Sequence, residues 1–391
     1  MTSRPAISPA IPYGALYAAQ FGFLGIQLPF FARWLGERGF DASQIGVLGG
    51  LALGLRLLMA PPLAYRAERA VDPRAPLRVV AVIIAVLGAA LVLPMPREAV
   101  AVLVISLLFV FGLAVPLADA SVLRADRAGQ LDYGRTRSAG SAGFIAANLI
   151  GGAIVGWAGV PSIVWMMAAV GGMMLVASLT LPPPPPAEPG PRPSLGEAGR
   201  LLRSKSFVLM LFACGLCQAS HAVYYTFTAL HWDSLGYSGL TIGMLWTVGV
   251  LVEIVMLVRG KALLRRFSPA TLIAIGCATA LVRWPLMGLS PPLPLLFVLQ
   301  VAHAGTFTAA FLGSVEFIGV AVPERYRATA MTVVSTLGIG ALTGVATVVT
   351  GPIFERAWFP AYAVMGAMGA AGLVLALALR VRWDGGPLRA V

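Results

Sequence analysis

The chain has 391 residues, of which 58% are hydrophobic and 11% charged, against roughly 25% charged in an ordinary soluble domain. That balance excludes a soluble globular protein and points to an integral membrane protein. The net charge of +12 would suit a nucleic-acid binder, but the basic residues are spread over short segments between apolar runs and form no continuous patch, so no nucleic-acid partner is expected.

Apolar runs long enough to cross a bilayer fall at 13–32, 43–65, 79–95, 99–121, 139–158, 161–181, 207–230, 240–258, 270–290, 294–320, 329–350 and 360–379. All are predicted to be helices, because a helix satisfies its own backbone inside lipid and the alternation of a transmembrane barrel is missing from the sequence. The predicted fold class is an all-α membrane protein with twelve transmembrane helices in two six-helix halves, residues 1–181 and 207–391, joined by a cytoplasmic proline-rich linker at 182–206. The first eleven residues are too polar and proline-rich for a signal peptide, so the first span is expected to stay as a helix. Nearly all of the 28 Lys and Arg fall on one side of these spans, with Arg33, Arg38, Arg97 and Arg356 in the opposite loops. The positive-inside rule then places both termini in the cytoplasm.

The linker opens with five prolines, Pro182 to Pro186, which favours polyproline II. Ser194-Leu-Gly-Glu197 has capping-box spacing before Leu201 and Leu202. A short helix on the cytoplasmic face and a disordered linker both remain open for this stretch. The 44 glycines and the three cysteines, Cys214, Cys217 and Cys277, are read as helix-packing residues, with no disulfide, metal or cofactor implied.

The two halves are related in sequence. An offset of 197 residues aligns Ile45, Gly46, Leu48 and Met59 with Ile242, Gly243, Leu245 and Met256, and places Arg56 opposite Glu253. Internal repeats of this kind, with opposite charges at equivalent intramembrane positions, are typical of secondary transporters.

Charged and polar residues within apolar spans are costly, which makes the few candidates informative. Glu253 could hold a proton, or form a permanent ion pair with an arginine such as Arg283 that only fixes packing. Arg283 could meet a solute carboxylate or snorkel to the outer interface. His303, spaced with Gln300 and Phe307 on one helical face, could bind solute or pass a proton, or could simply be a packed histidine. Asp119 and Glu316 lie near inner span ends, where they could anchor arginines of the inner loops and hold one conformation closed; Glu316 is also a candidate proton carrier. Cys214, Gln218, His221, Tyr225 and Thr228 share one stripe, and Tyr13, Tyr17, Gln20 and Gln27 another. Stripes of this kind suit a cavity for a partly aromatic or hydroxylated solute, or are aromatic packing.

Several motifs together resemble the phenylpropionate permease family of the major facilitator superfamily, and its relatives among the lactose and nucleoside proton symporters. They are Leu131-Asp-Tyr-Gly-Arg135 with Gly140 and Phe144, Ser220-His221, Ile242-Gly with Trp246 and Glu253, Arg283-Trp284, and Gln300-x-x-His303 with Thr306 and Phe307. The resemblance implies a rocker-switch bundle that couples a small organic solute to protons. It makes Glu253, Arg283 and His303 the charged cluster of the second half. Thr306 stands where the sugar-proton permeases carry a carboxylate, which leaves Glu253, His303 and Glu316 as rival proton carriers. The superfamily's loop motif between spans two and three survives only as Pro61-Pro62-Leu63-Ala64-Tyr65-Arg66, so gating that involves Arg66, Asp119 and Arg135 is expected to differ.

The sequence therefore reads as a monomeric proton-coupled importer of a small, preferably aromatic carboxylate in a bacterial inner membrane. Glu253, His303 or Glu316 would take the proton, while Arg283, His303, Arg56, Gln218, His221, Tyr225 and Gln20 would meet the solute. A sugar or nucleoside importer, a proton antiporter exporting drugs or metabolites, and a non-transporting sensor are the alternatives. An enzyme is not expected, because neither Gly-x-Ser-x-Gly, His-Glu-x-x-His nor Walker spacing occurs.

Overall fold

A computed structural model describes residues 8–68, 70, 72, 74–183, 185 and 194–388. All regular structure among them is helical. The first part of the chain forms α1 (Ala10–Glu37), α2 (Ala42–Glu68), α3 (Ala75–Ala90), α4 (Arg97–Arg127), α5 (Tyr133–Ala158) and α6 (Ser162–Leu179). Then follow α7 (Leu195–Leu201), α8 (Lys205–Ala219), α9 (Ala222–Thr226), α10 (Thr228–Ser234), α11 (Gly239–Val258), α12 (Gly260–Arg266), α13 (Pro269–Gly288) and α14 (Leu293–Val301). A π-helical turn, Gly305–Ala309, leads into α15 (Ala310–Ala321) and α16 (Glu324–Val333). A second, Val334–Ala341, leads into α17 (Leu342–Arg356) and α18 (Trp358–Arg382).

Eleven helical runs among the described residues are long and apolar enough to cross a membrane. The third expected span, 79–95, instead forms the 16-residue α3. At about 1.5 Å per residue it reaches roughly 24 Å, short of a hydrocarbon core of roughly 30 Å. Pro94 has no N–H to bond the Ala90 carbonyl and bars Leu93 from the helical region, so the helix cannot run on to residue 95. The seventh span, expected as one helix over 207–230, is interrupted at Ser220–His221 and at Phe227, giving α8, α9 and α10. The tenth and eleventh spans contain the two π turns. Ser204 and Ser268 cap α8 and α13 by accepting from Phe207 N and Thr271 N, and Asp132 caps α5 at Arg135 N, so each helix start satisfies one orphan donor.

Of the two readings of the linker, the helix is the one formed. Ser194 caps α7 and accepts from Glu197 N; Thr329 donates to Glu197, Arg200 donates to Tyr326 Oη at 2.8 Å, and Leu201 is fully buried. The proline-rich run expected as polyproline II lies mostly outside the described residues. In the loop between α2 and α3, Arg74 donates both side-chain and backbone hydrogen bonds to Asp72 and holds its carboxyl below the usual carboxylate range. Arg74 also donates to Leu181 O and Arg78 to Ser178 O. This loop is thus tied to the end of α6 by Asp72 and its two arginines, groups the sequence reading passed over.

Two compact units divide the chain: Met1–Asp41, Leu51–Glu188 and Ala229–Thr247 make the first, and Ala42–Gly50, Pro189–Thr228 and Val248–Val391 the second. The stretches Ala42–Gly50 and Gly239–Thr247, which the 197-residue offset pairs in sequence, each belong to the unit opposite the half that contains them. In the first unit Gly239 packs on Gly152 of α5, where an added Cβ would lie 2.6 Å from the Gly152 carbonyl oxygen. In the second, Ser43 Oγ donates to Glu355 at 2.9 Å.

Within the first unit α1 packs tightly on α5. A Cβ at Gly25 would meet Phe144 O at 2.7 Å and the Ala147 methyl at 2.9 Å. Backbone cannot move aside as a side chain can, so overpacking here costs about 1–3 kcal/mol. Gly25→Val is expected to lower the thermal unfolding midpoint of the purified protein, whereas substitution at Gly36, which faces open space, should leave it nearly unchanged.

Candidate functional site

The candidate site lies in the second unit, around a guanidinium that is almost sealed from solvent: Arg283 of α13 is 1% exposed. Arginine stays protonated and can only donate, so its burial demands acceptors. Its Nε donates to Leu299 O at 2.8 Å, its Nη1 to His303 Nδ1 at 2.9 Å and to Thr306 Oγ1 at 3.0 Å, and its Nη2 to Gln300 Oε1 at 3.2 Å. The guanidinium carbon also lies 4.3 Å from the Trp284 ring centroid and 4.9 Å from that of Tyr224, a cation–π arrangement. Tyr224 Oη in turn donates to Gln300 Oε1 at 2.8 Å.

These contacts fix the protons of the neighbouring groups. Because Arg283 donates to His303 Nδ1, that nitrogen must be the acceptor, and the ring proton sits on Nε2. His303 Nε2 lies 2.7 Å from Glu253 Oε1, so the imidazole donates to the carboxylate. Glu253 Oε2 is left to receive a proton without disturbing that bond. A proton on His303, by contrast, would have to displace Arg283 from Nδ1. On the other branch, His221 Nδ1 lies 3.0 Å from Gln218 O, a pure acceptor, so His221 Nε2 is bare and faces Thr306 Oγ1 at 3.0 Å. Thr306 Oγ1 accepts from Arg283, and its one hydroxyl proton is shared between His303 O, also at 3.0 Å, and His221 Nε2. The expected direct pairing of Glu253 with Arg283 is replaced by a relay through the imidazole.

Local backbone irregularity makes this geometry possible. The π turn Gly305–Ala309 widens the helix just after His303, as π turns at functional sites commonly do, and breaks the i, i+3, i+4 register that the sequence reading assumed. Two carbonyls of this turn also accept from side chains of α8: Cys217 Sγ donates to Thr306 O at 3.2 Å and Gln218 Nε2 to Phe307 O at 3.0 Å. Cys217 is thus a packing residue with a specific acceptor. The break at Ser220–His221 lets Trp284 Nε1 donate to Ser220 Oγ at 2.8 Å.

An aromatic surface borders the accessible edge of this network. Phe307 stacks on His303 with ring centroids 5.8 Å apart, Phe311 on Phe307 at 6.3 Å, and Tyr225 on His221 at 5.3 Å. Phe311 is 37% exposed, and Tyr225 and Phe307 are half-buried. Glu253 has 17% of its side chain exposed, against 5% for His303, so the carboxylate is where the network meets the outside.

The other expected site residues are elsewhere. In the first unit Asp119 accepts from the phenols of Tyr17 and Tyr133, where inner-loop arginines were expected as its partners. Gln20 Nε2 donates to Ala114 O at 3.1 Å while its Oε1 is buried with no partner among the described residues. Arg135 and Arg66 are exposed, and Arg56 is exposed on α2. Tyr13, read as a possible interfacial residue, is 1% exposed. In the second unit Glu316 is half-buried, with no hydrogen bond or ion pair among the described residues. Thr306, Tyr224, Gln300 and Ser220 were not assigned roles from sequence; the motifs carrying Gln300 and Thr306 beside His303 were the available signal, but threonine there was read as a missing carboxylate.

Membrane-crossing helices with a charged network held inside apolar spans define a membrane transporter. Residues 11–363 match the MFS_1 like family, and the chain belongs to it, within the major facilitator superfamily. It is 29% identical over 341 residues to the "probable 3-phenylpropionic acid transporter" of Escherichia coli (strain K12), covering 87% of this chain and 89% of that protein. It is 26% identical over 252 residues to the maltose permease of Geobacillus stearothermophilus, covering 62% and 61%. The fold is shared with the nucleoside transporter NupG (TM-score 0.75, 18% identity, covering 97% of this chain and 100% of that one). It is shared as well with a D-xylose-proton symporter (TM-score 0.71, 14% identity, covering 97% and 96%). The protein is a multi-pass secondary transporter of the major facilitator superfamily and not an enzyme.

Thr306→Val keeps the shape of the side chain but removes an acceptor from Arg283 and the hydroxyl proton that lies between His303 O and His221 Nε2. Hydrogen bonds to charged groups contribute about 1.5–3 kcal/mol, so this variant should unfold at clearly lower temperature than the wild type, while Thr306→Ser should restore most of the difference. A thermal unfolding scan of the three proteins in one detergent checks this.

Proposed function

We propose that the protein is a proton symporter that imports a small aromatic carboxylate across a bacterial inner membrane by rocker-switch alternating access, as a monomer with both termini in the cytoplasm. The observation that carries this reading is the arrangement of Glu253. It is the accessible member of an otherwise sealed network, its Oε1 is engaged by His303 Nε2, and its other oxygen can take a proton with no rearrangement. Glu253 is therefore the proton carrier, and His303, held by Arg283, is its positioning partner. The aromatic surface of Tyr225, Phe307 and Phe311 suits an aryl ring, and the name of the Escherichia coli relative agrees with that substrate class.

Coupling requires that proton and solute together favour one conformation over the other; occupancy by itself shifts nothing. Loss of the titrating group should then uncouple transport without abolishing it. Glu253→Gln is expected to abolish uphill accumulation while retaining exchange of labelled solute across the membrane, and Glu316→Gln is expected to keep accumulation. Accumulation that survives intact in Glu253→Gln removes Glu253 from the role.

Substrate class and direction are tested together in sealed vesicles containing the purified protein and a pH-sensitive dye. Adding 3-phenylpropionate should alkalinise the outer solution, whereas a sugar or a nucleoside should not. A signal from the sugar or nucleoside in place of the acid assigns the protein to the neutral-solute importers, and acidification on adding solute assigns it to the antiporters.

A further inference from the structure

Two arginines lie within the membrane spans, and only one of them is satisfied. Arg283 has each of its three nitrogens bonded to a protein acceptor and is 1% exposed, so it is sealed away from a solute. Arg56 is its opposite. It stands midway along the 27-residue α2, it is exposed, and it has no hydrogen-bond or ion-pair partner among the described residues. A guanidinium inside an apolar span keeps its proton and is tolerated against water, an anion or the interface that its own stem can reach.

The chain also makes room for it. Across from Arg56 on α4 is Gly112, and a Cβ there would lie 2.7 Å from Arg56 Cδ, 3.3 Å from Nε and 3.5 Å from Nη1. The side chain therefore lies along the glycine, which has no side chain to bond to it, and the guanidinium has no hydrogen-bond acceptor among the described residues. A planar fork with free donors matches the two oxygens of a carboxylate. From these observations we infer that Arg56, laid against Gly112, is the site that takes the carboxylate of the solute, and that Arg283 is not. The inference rests on the aromatic-acid reading above and deepens it by separating the two charges: the proton belongs to Glu253, and the solute's anion to the residue at the repeat-equivalent position.

The assignment makes Gly112 a positioning residue. Its replacement by a larger side chain must push the Arg56 stem aside while leaving the positive charge in the protein, so a merely electrostatic or merely structural role for Arg56 would respond differently from an anchoring one.

The test is calorimetric binding of 3-phenylpropionate to the purified full chain, with 3-phenylpropan-1-ol as the neutral probe of the same shape. The wild type should prefer the acid. Arg56→Gln should lose at least tenfold in affinity for the acid and little for the alcohol, so that the preference disappears. Arg56→Lys, which keeps the charge but not the fork, should fall between. Gly112→Val should reproduce the loss seen in Arg56→Gln; its thermal unfolding midpoint is recorded alongside, and the Arg56→Lys and Arg56→Gln pair decides the matter if it does not fold. Undiminished acid binding by Arg56→Gln overturns the Arg56 assignment and leaves the transport reading intact. A wild type that binds neither probe, or the alcohol as well as the acid, removes the aromatic-acid reading and the Arg56 assignment with it.

Discussion

The second unit is built around the need to satisfy one buried cation. Arg283 cannot be neutralised by losing its proton, and leaving its donors unpaired in an apolar bundle would cost several kcal/mol. The acceptors come from α14, from His303 just beyond it and from the π turn that follows, and their positions depend on irregular backbone. The break in the seventh span, the wide turn at Gly305–Ala309 and the thiol and amide groups of α8 that serve its carbonyls all follow from that requirement. Buried ion networks are poor stabilisers compared with apolar packing, so an arrangement this demanding is better understood as holding protons in defined places.

That definition gives the network its chemical direction. Arg283 donates outward to two groups, His303, which passes on to Glu253, and Thr306, whose hydroxyl lies 3.0 Å from both His303 O and His221 Nε2. Each imidazole is held in a single tautomer by what lies on its other side. Within this network, among the described residues, Glu253 is the group with a vacant proton-accepting position at an accessible edge. In a low-dielectric site, hydrogen bonds of this kind are stronger than in water and reorganise as a set. A change of charge at the carboxylate is therefore felt by the imidazole that contacts it and by the guanidinium beyond.

The first unit carries a different polar population. Asp119 is held by two phenols and Gln20 by a backbone carbonyl, while Arg56 lies along Gly112 with no hydrogen-bond or ion-pair partner among the described residues. The twofold repeat in sequence is thus a repeat of scaffold and not of chemistry. Equivalent positions on α2 and α11 carry opposite charges, one unpaired and one engaged, and that asymmetry is what a carrier needs if a proton and an anion are to occupy different places.

Much was determined by the sequence itself. Apolar run length set the all-helical class and the approximate position of the helices, and the rarity of charge within the spans singled out Glu253, Arg283, His303 and Arg56. These are properties of composition and spacing, which local physics fixes. The end of α3 near Pro94 and Pro96 was also legible and was missed by reading hydropathy without backbone restriction. Which of the charged residues touch each other was not legible, because contacts between α9, α11, α13 and α14 join positions far apart in the chain. Nor was the π turn, since one extra residue in a helical turn leaves no mark in an apolar sequence. Tertiary structure decided that Arg283 is sealed, that His303 stands between it and Glu253, that Thr306 is a junction, and that Arg56 has no hydrogen-bond acceptor among the described residues. Each depends on what surrounds a side chain in space, which no spacing rule encodes.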